Sequence, residues 1–158
     1  MIKLQFSSAP DLGSRLIQFY ERGWPSHVDA VREDGMLLGA RSDVCAGVPA
    51  GVQLRPPGYK TFKRIEIIEL PCSKQIEWRF WEFLNAQIGK PYDKKAIVAF
   101  AIQRDWRNPD QWFCSELIVS GLEESGFFPR RLLIPANEVT PRDNLILASP
   151  WRYARSAT

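Results

Sequence analysis

In the first half of the chain, segments with an apolar residue at every second position are followed by segments whose apolar residues recur at helical spacing. Residues 2–6 place Ile, Leu and Phe at every second position, which predicts a strand with one buried face. Residues 12–20 carry apolar side chains at helical spacing, which predicts a helix that ends near Gly23 and Pro25. The Ser-Ser-Ala-Pro-Asp run over residues 7–11 predicts the start of that helix, with a serine as its N-cap.

A β-hairpin is predicted next, because two short apolar runs flank an Asp-Gly turn. The runs cover residues 27–31 and 36–40, and the turn lies at Asp34-Gly35. The following Gly- and Pro-rich stretch favours a loop, with one short strand over residues 52–54. Residues 62–70 are rich in isoleucine and predict a further strand.

The second half of the chain is mainly helical in pattern. Ser73 precedes a stretch with apolar side chains at helical spacing, so a helix is expected over residues 74–88. Two more helices are expected over residues 94–103 and 114–125, with a polar loop over 104–111 between them. The proline-rich remainder is expected to be loop with one short strand over residues 145–147. These elements predict one α+β domain spanning residues 1–158.

Composition narrows the class of protein. Hydrophobic residues make up 45% of the 158 residues and charged residues 25%, which are ordinary globular values and exclude a disordered or fibrous chain. No apolar run approaches the ~20 residues of a membrane span. The net charge is +3 and the basic residues are scattered, which disfavours a nucleic-acid partner. Three cysteines without a CxxC pair disfavour a zinc site, and the lack of a signal sequence favours a cytoplasmic location.

Cys114 is the most informative single position. It falls where a loop meets the first turn of a predicted helix, and unpaired N–H groups there favour an anion. Such a position lowers the pKa of a thiol and could also hold an oxyanion. A buried cysteine that acts as a small apolar side chain is an equal alternative from local sequence alone. Cys45 and Cys72 are interpreted as structural or incidental.

His27 is the chain's one histidine and stands at the start of a predicted strand. A cysteine nucleophile needs a base, and histidine is the usual one, so His27 is the candidate partner of Cys114. A surface histidine or a hydrogen-bonded core histidine is the alternative. Trp24 and Trp112 lie close in sequence to the two candidate catalytic residues and are expected to line a cleft.

Taken together, several short segments resemble a known family. These are Ser26-His27-Val28, the hairpin, Gly89-Lys90-Pro91-Tyr92-Asp93 and Phe113-Cys114-Ser115-Glu116-Leu117. The chain resembles the YiiX-like group, a circularly permuted, papain-like branch of the NlpC cysteine peptidase superfamily. The resemblance spans residues 16–147, and the order of histidine before cysteine agrees with it.

The resemblance implies a permuted papain-like α+β fold, in which a helix that bears the cysteine packs against an antiparallel sheet that presents the histidine. It implies Cys114 as nucleophile and His27 as base. It also implies that Tyr92 binds substrate or oxyanion, in an enzyme that hydrolyses or transfers acyl groups at amide, ester or thioester bonds. Many members of the superfamily cleave cell-wall peptides. No metal or organic cofactor is expected.

One position departs from the family. The family orients its histidine with a polar residue twelve positions later, and here that residue is Gly39. Asp29, which shares a strand face with His27, could take its place, as could Ser42 or Asp43 beyond the second strand, a backbone carbonyl or water. A weak or inactive enzyme that serves as a binding module is therefore the main alternative to a cysteine amidase or peptidase. A lipid acyltransferase or thioesterase is the other alternative.

Overall fold

The computed structural model describes residues 1–93 and 111–152, and they form a five-stranded sheet with four helices. The helix expected over residues 94–103 and most of the polar loop after it lie outside the described residues. In chain order the elements are strand β1 (Ile2–Ser8), helix α1 (Leu12–Glu21), strands β2 (His27–Val31), β3 (Leu37–Arg41), β4 (Gly51–Arg55) and β5 (Arg64–Leu70), and helices α2 (Lys74–Ala86), α3 (Cys114–Ser125) and α4 (Pro141–Ala148). Short 3-10 turns at Ala136–Glu138 and Ser149–Trp151 flank α4.

Every strand pair in the sheet is antiparallel, in the order β4-β3-β2-β1-β5. The ladder between β1 and β2 runs along the whole of β2, from Ser7–His27 to Lys3–Val31. The ladder between β2 and β3 is much shorter and comprises only Ala30–Leu38 and Val31–Leu37. The hairpin is therefore paired near its turn and opens toward His27.

The core lies between one face of the sheet and α3, with α2 packed on the outside of α3. Alternate residues of the strands supply this face, as the period-two pattern predicts, and Leu4, Ala30 and Ile68 are buried neighbours across β1, β2 and β5. Phe80 and Leu84 of α2 are fully buried against α3. This arrangement is the α+β, papain-like fold that was expected, with the cysteine-bearing helix on an antiparallel sheet.

Two predictions from the sequence were wrong, and both concern the start of a helix. The N-cap of α1 is Asp11, whose carboxylate accepts the Ser14 N–H at 2.8 Å, and not a serine, because Ser7 and Ser8 continue β1. Residues 145–147 belong to α4 and not to a strand. Its start is fixed by the Thr140–Asp143 capping box with Pro141 in the first turn, a place where proline favours a helix. The other predicted boundaries that fall within residues 1–93 and 111–152 agree with the structure to within a few residues.

Among the described residues, no helix is long and apolar enough to cross a membrane.

Candidate active site

The first turn of α3 is held by side chains on both of its flanks. Cys114 opens the helix and is 1% exposed. The Ser115 hydroxyl donates to the Val139 carbonyl at 2.6 Å, and the Asn144 amide donates to the Ser115 carbonyl at 2.9 Å. The start of α3 is thereby attached to α4 and to the segment before it, and the position of Cys114 is fixed.

The Cys114 thiol lies against the open end of the β2–β3 hairpin. The backbone N–H of Val28 lies close enough to the sulfur to lower the pKa of the thiol, at a point beyond the last β2–β3 pair. Burial raises the pKa of the thiol to about 12, and the negative charges of Glu21 and Asp29 add to this, although the Val28 N–H acts in the opposite sense. The lowered thiol pKa expected from the helix N-terminus is therefore outweighed by burial, and Cys114 is a neutral thiol at rest.

His27 is buried at the start of β2 and is hydrogen-bonded to Asp29. Its Nε2 atom lies 2.9 Å from Asp29 Oδ1. Burial lowers the pKa of His27, even though the charge of Asp29 acts to raise it. Neutral His27 therefore carries its proton on Nε2, where the carboxylate accepts it, and this leaves Nδ1 as the basic nitrogen.

Asp29 is itself held at both carboxylate oxygens. The Tyr59 hydroxyl donates to Oδ2 at 2.8 Å, and an Arg41 N–H donates to the Tyr59 oxygen at 3.3 Å. Burial would raise the pKa of Asp29, but His27, Tyr59 and Arg41 together hold it below its usual value. Asp29 is therefore a buried carboxylate that remains ionised.

Tyr59, Arg41 and Arg55 were not predicted as site residues from the sequence. Arg55 is fully buried and donates to four carbonyl oxygens, among them that of Gly39 at 3.0 Å. Tyr59 comes from the loop between β4 and β5, where the Gly- and Pro-rich pattern gave no sign of a buried hydroxyl. Arg55 ends a short strand and has no acidic residue beside it in sequence, so its place in the site could not be predicted either.

Of the three residues named as possible partners of His27, Asp29 is the one that contacts it. Asp43 instead binds Arg41 at 2.8 and 3.0 Å and Lys60 at 3.0 Å. Ser42 lies on the cleft wall beside Asp43. Gly39 faces Asp29 directly, since a Cβ atom built on Gly39 would lie 1.9 Å from Asp29 Oδ1.

His27 opens onto a small cleft of about 230 Å³ between α1 and the end of the sheet. Its walls carry several charged and polar side chains: Asp11, Ser14, Ser26, Arg41, Ser42, Asp43, Lys60 and Tyr92. Tyr92 also packs on Phe113, at 5.7 Å between ring centroids, so it connects the cleft with the start of α3.

Trp24 and Trp112 are not among the residues that line this cleft. The Trp112 indole N–H donates to the Gln87 side chain at 3.2 Å, and Arg64 lies over the Trp24 ring at 4.0 Å. Both tryptophans pack at the edge of the core.

Cys114 and His27 are near neighbours through Val28 but are not hydrogen-bonded to each other. Among residues 1–93 and 111–152, the hydrogen-bond partner of the His27 ring is Asp29, and the Val28 N–H is the backbone group that lowers the pKa of the thiol. Unliganded sites often show such loose contacts between nucleophile and base, which tighten when substrate binds.

The fold places the chain with YiiX-like α+β proteins in architecture. One solved structure that it matches is the metalloprotein YiiX from Escherichia coli O157:H7, with a TM-score of 0.53 and 16% sequence identity. The match covers 82% of this chain and 66% of that one, so this chain spans less than two thirds of YiiX. No protein-family model matches the sequence, and no curated protein does.

The description of YiiX as a metalloprotein raises the question of a metal site here. Within the part of the chain that the structure describes, no three His, Cys, Asp or Glu side chains are grouped so that they could hold a metal ion. Asp29 has both oxygens occupied by His27 and Tyr59. The described residues therefore do not fit a bound metal ion.

Proposed function

We propose that the protein is a cysteine hydrolase that cleaves amide or peptide bonds through an acyl-enzyme on Cys114. The observation that carries this proposal is the placement of a helix-initial cysteine against β2, whose first residue is a histidine bonded to a buried carboxylate. The proposed nucleophile, base and orienting group thus come from two adjoining elements, so a small movement can bring the thiol and the imidazole within the hydrogen-bond reach that covalent catalysis requires.

The proposed reaction starts from the neutral thiol of Cys114 and the neutral imidazole of His27. As Cys114 Sγ bonds to the substrate carbonyl carbon, its proton moves to Nδ1 of His27, and Asp29 stabilises the imidazolium that forms. Backbone N–H groups at the start of α3 stabilise the oxyanion. His27 then gives the proton to the leaving amine as the carbon–nitrogen bond breaks, and a thioester remains.

Water completes the proposed cycle. Nδ1 of His27 takes a proton from water as its oxygen attacks the thioester, and the carbon–sulfur bond breaks. The carboxylic acid product leaves, and the proton returns to Cys114. No step in this sequence requires a redox change.

The cleft that His27 lines, and that Cys114 does not line, favours a polar substrate over a lipid. Its volume is small, and Asp11, Arg41, Asp43 and Lys60 contribute charge to its walls. A long acyl chain would take these ion-paired groups out of water and give them no further hydrogen-bond partners. Peptides suit such walls, and cell-wall peptides come first because many members of the superfamily that the sequence resembles act on them.

A substrate panel with single-cysteine variants tests the proposal. Peptides with L- and D-residues, small amides and lipid esters are incubated with wild type, Cys114→Ala and Cys72→Ala. We expect peptide or amide turnover in wild type and in Cys72→Ala, and none in Cys114→Ala. Intact-mass measurement of a quenched reaction is expected to show one acyl group on Cys114. Turnover that persists in Cys114→Ala would contradict the proposal.

A catalytically inactive binding module is the second candidate. The burial of Cys114 and its missing hydrogen bond to His27 favour it. On this alternative, a peptide from the panel binds in calorimetry but is not cleaved, and Cys114→Ala binds it as well as wild type does. Lipid-ester turnover that depends on Cys114 would instead support the acyltransferase or thioesterase alternative.

A further inference from the structure

We propose that Asp29 on β2 is the positioning residue for His27, and that Gly39 is the glycine that this arrangement requires on β3. The proposal rests on the proposed function for its catalytic meaning, but its structural content can be tested without turnover. Because Gly39 has no side chain, the carboxylate that orients His27 can extend over it. Gly39 is then not a lost member of a triad.

The space over Gly39 is the main observation. Asp29 Oδ1 is 2.9 Å from His27 Nε2 and 1.9 Å from the place where a residue-39 Cβ would stand. Non-bonded carbon and oxygen atoms do not approach to 1.9 Å. A side chain at position 39 and a carboxylate that reaches His27 from position 29 therefore exclude each other.

Backbone conformation does not explain this glycine. Six glycines of the described chain have positive φ, and Gly39 is not among them. Its backbone lies in a regular strand, where Gly39 pairs with Gln53 of β4 and where glycine lowers stability. The lack of a side chain, and not a special φ, is thus what position 39 provides.

The surroundings of Asp29 hold its carboxylate in this one position. Tyr59 donates to its second oxygen at 2.8 Å, and Arg41 in turn donates to Tyr59. The buried Arg55 guanidinium is within electrostatic range of Asp29, and it donates to the carbonyl of Gly39 itself. Arg55 therefore stabilises both the Asp29 carboxylate and the backbone of β3 at Gly39.

The geometry also predicts that the orienting group can be moved across the hairpin. In Asp29→Ala, the space beside His27 Nε2 is empty. The carboxylate that Gly39→Asp introduces has its oxygens two bonds from a Cβ that would stand next to that space. The double variant Asp29→Ala/Gly39→Asp is therefore expected to restore a carboxylate partner for His27 from β3.

The single histidine makes a direct test possible, because nitrogen NMR of a ¹⁵N-histidine-labelled protein reports on His27 alone. We expect the Nε2–H tautomer in wild type and a tautomer mixture in Asp29→Ala. We expect the Nε2–H tautomer to return in Asp29→Ala/Gly39→Asp. A wild-type tautomer that is retained in Asp29→Ala would overturn the proposal, and so would a double variant that behaves like Asp29→Ala.

A thermal-stability cycle keeps the test decisive if Gly39→Ala folds poorly. Gly39→Ala is expected to lower Tm strongly in wild type and by less than half as much in the Asp29→Ala background, since the clash is then gone. Gly121→Ala lies in α3 and serves as the control, with an equal cost in both backgrounds. An equal cost of Gly39→Ala in both backgrounds would overturn the proposal.

Kinetics separate this proposal from the proposed function. If wild type turns over a substrate, Asp29→Ala is expected to lower kcat at least tenfold with little change in KM and to shift the pH profile, with recovery in Asp29→Ala/Gly39→Asp. A wild type without turnover, together with the expected NMR result, would reject the proposed hydrolase and leave the positioning role of Asp29 supported.

Discussion

The sulfur of Cys114 lies beside the backbone N–H of Val28, the residue that follows His27. This contact lies where the β2–β3 ladder has already ended, so the start of α3 occupies the opening of the hairpin. The start of α3 and the start of β2 therefore meet at the candidate site, and the thiol is shielded from solvent.

The first prediction concerns the reactivity of that thiol. Because burial raises the pKa of Cys114 to about 12, we expect iodoacetamide to label it more slowly than the partly exposed Cys72 from pH 7 to pH 9. The labelling rate should still be rising at pH 10. Peptide mass spectrometry measures each cysteine separately. Fast labelling of Cys114 below pH 8 that His27→Ala abolishes would show an ion pair at rest and contradict the neutral pair.

The second prediction concerns Glu21, a buried carboxyl group at the end of α1. Burial raises its pKa to about 8, and repulsion from Asp143 adds to this, although the Arg142 N–H at 3.2 Å acts in the opposite sense. The folded state thus holds a proton that the unfolded chain releases near pH 4.5. The resulting stabilisation is complete below pH 4.5 and is lost as the pH rises through about 8, by at most about 1.4 kcal/mol per pH unit.

Urea unfolding at a series of pH values checks this. Glu21→Gln should remove the fall in the free energy of unfolding between pH 5 and pH 8, relative to wild type. Parallel pH profiles for the two proteins would mean that Glu21 does not titrate in this range. Arg142, Asp143 and Cys114 lie within electrostatic range of Glu21, and they are present in both proteins, so the difference isolates the carboxyl group.

The third prediction concerns the contact between α2 and α3. A Cβ on Gly121 would lie 3.0 Å from the Phe80 ring and 3.2 Å from a Leu84 methyl group, and both side chains are fully buried. We expect Gly121→Ala to lower the free energy of unfolding by about 1–3 kcal/mol through overpacking. Gly13→Ala on α1 is the matched control, with its nearest neighbour at 3.4 Å, and it should be neutral or stabilising. Equal effects would show that the α2–α3 contact can relax.

The fourth prediction concerns the start of α4. The Thr140 hydroxyl accepts the Asp143 N–H at 3.1 Å, and the Asp143 carboxylate accepts the Thr140 N–H at 3.0 Å. Thr140→Ala should therefore cost about 1 kcal/mol in urea unfolding, whereas Thr140→Ser should cost much less. Because α4 also supplies Asn144 to the first turn of α3, Thr140→Ala should increase exchange of the Leu117 amide, whose N–H donates to the Phe113 carbonyl in that turn. Unchanged exchange there would show that the two helices are not coupled.

Local sequence was sufficient for most of the fold. The Asp-Gly turn, the isoleucine-rich strand and the Ser73 cap each act through a few neighbouring residues, and the corresponding elements are present. The pattern failed at α4, where proline was interpreted as a loop residue although it stands in the first turn of a helix.

The candidate site was predictable only in part. His27, Asp29 and Cys114 follow from residue chemistry and from the resemblance, but Tyr59 reaches Asp29 from a distant loop. The pKa of Cys114 could not be predicted either, since helix position and burial act in opposite directions and only the packed structure shows which is larger. The contact of Tyr59 with Asp29 and the pKa of Cys114 thus depend on long-range packing, which local sequence motifs do not reveal.

The attachment of α3 to α4 has a consequence for folding. His27 and the strands around it precede Cys114 along the chain, and Ser115 is held by Asn144, which comes later still. A growing polypeptide therefore completes the sheet before the first turn of α3, which begins with Cys114, can be held in place. Proteolytic cleavage ahead of α4 would leave the strands paired but would release the first turn of α3 from Asn144. An intact chain near residue 144 therefore determines whether Cys114 keeps its place against β2.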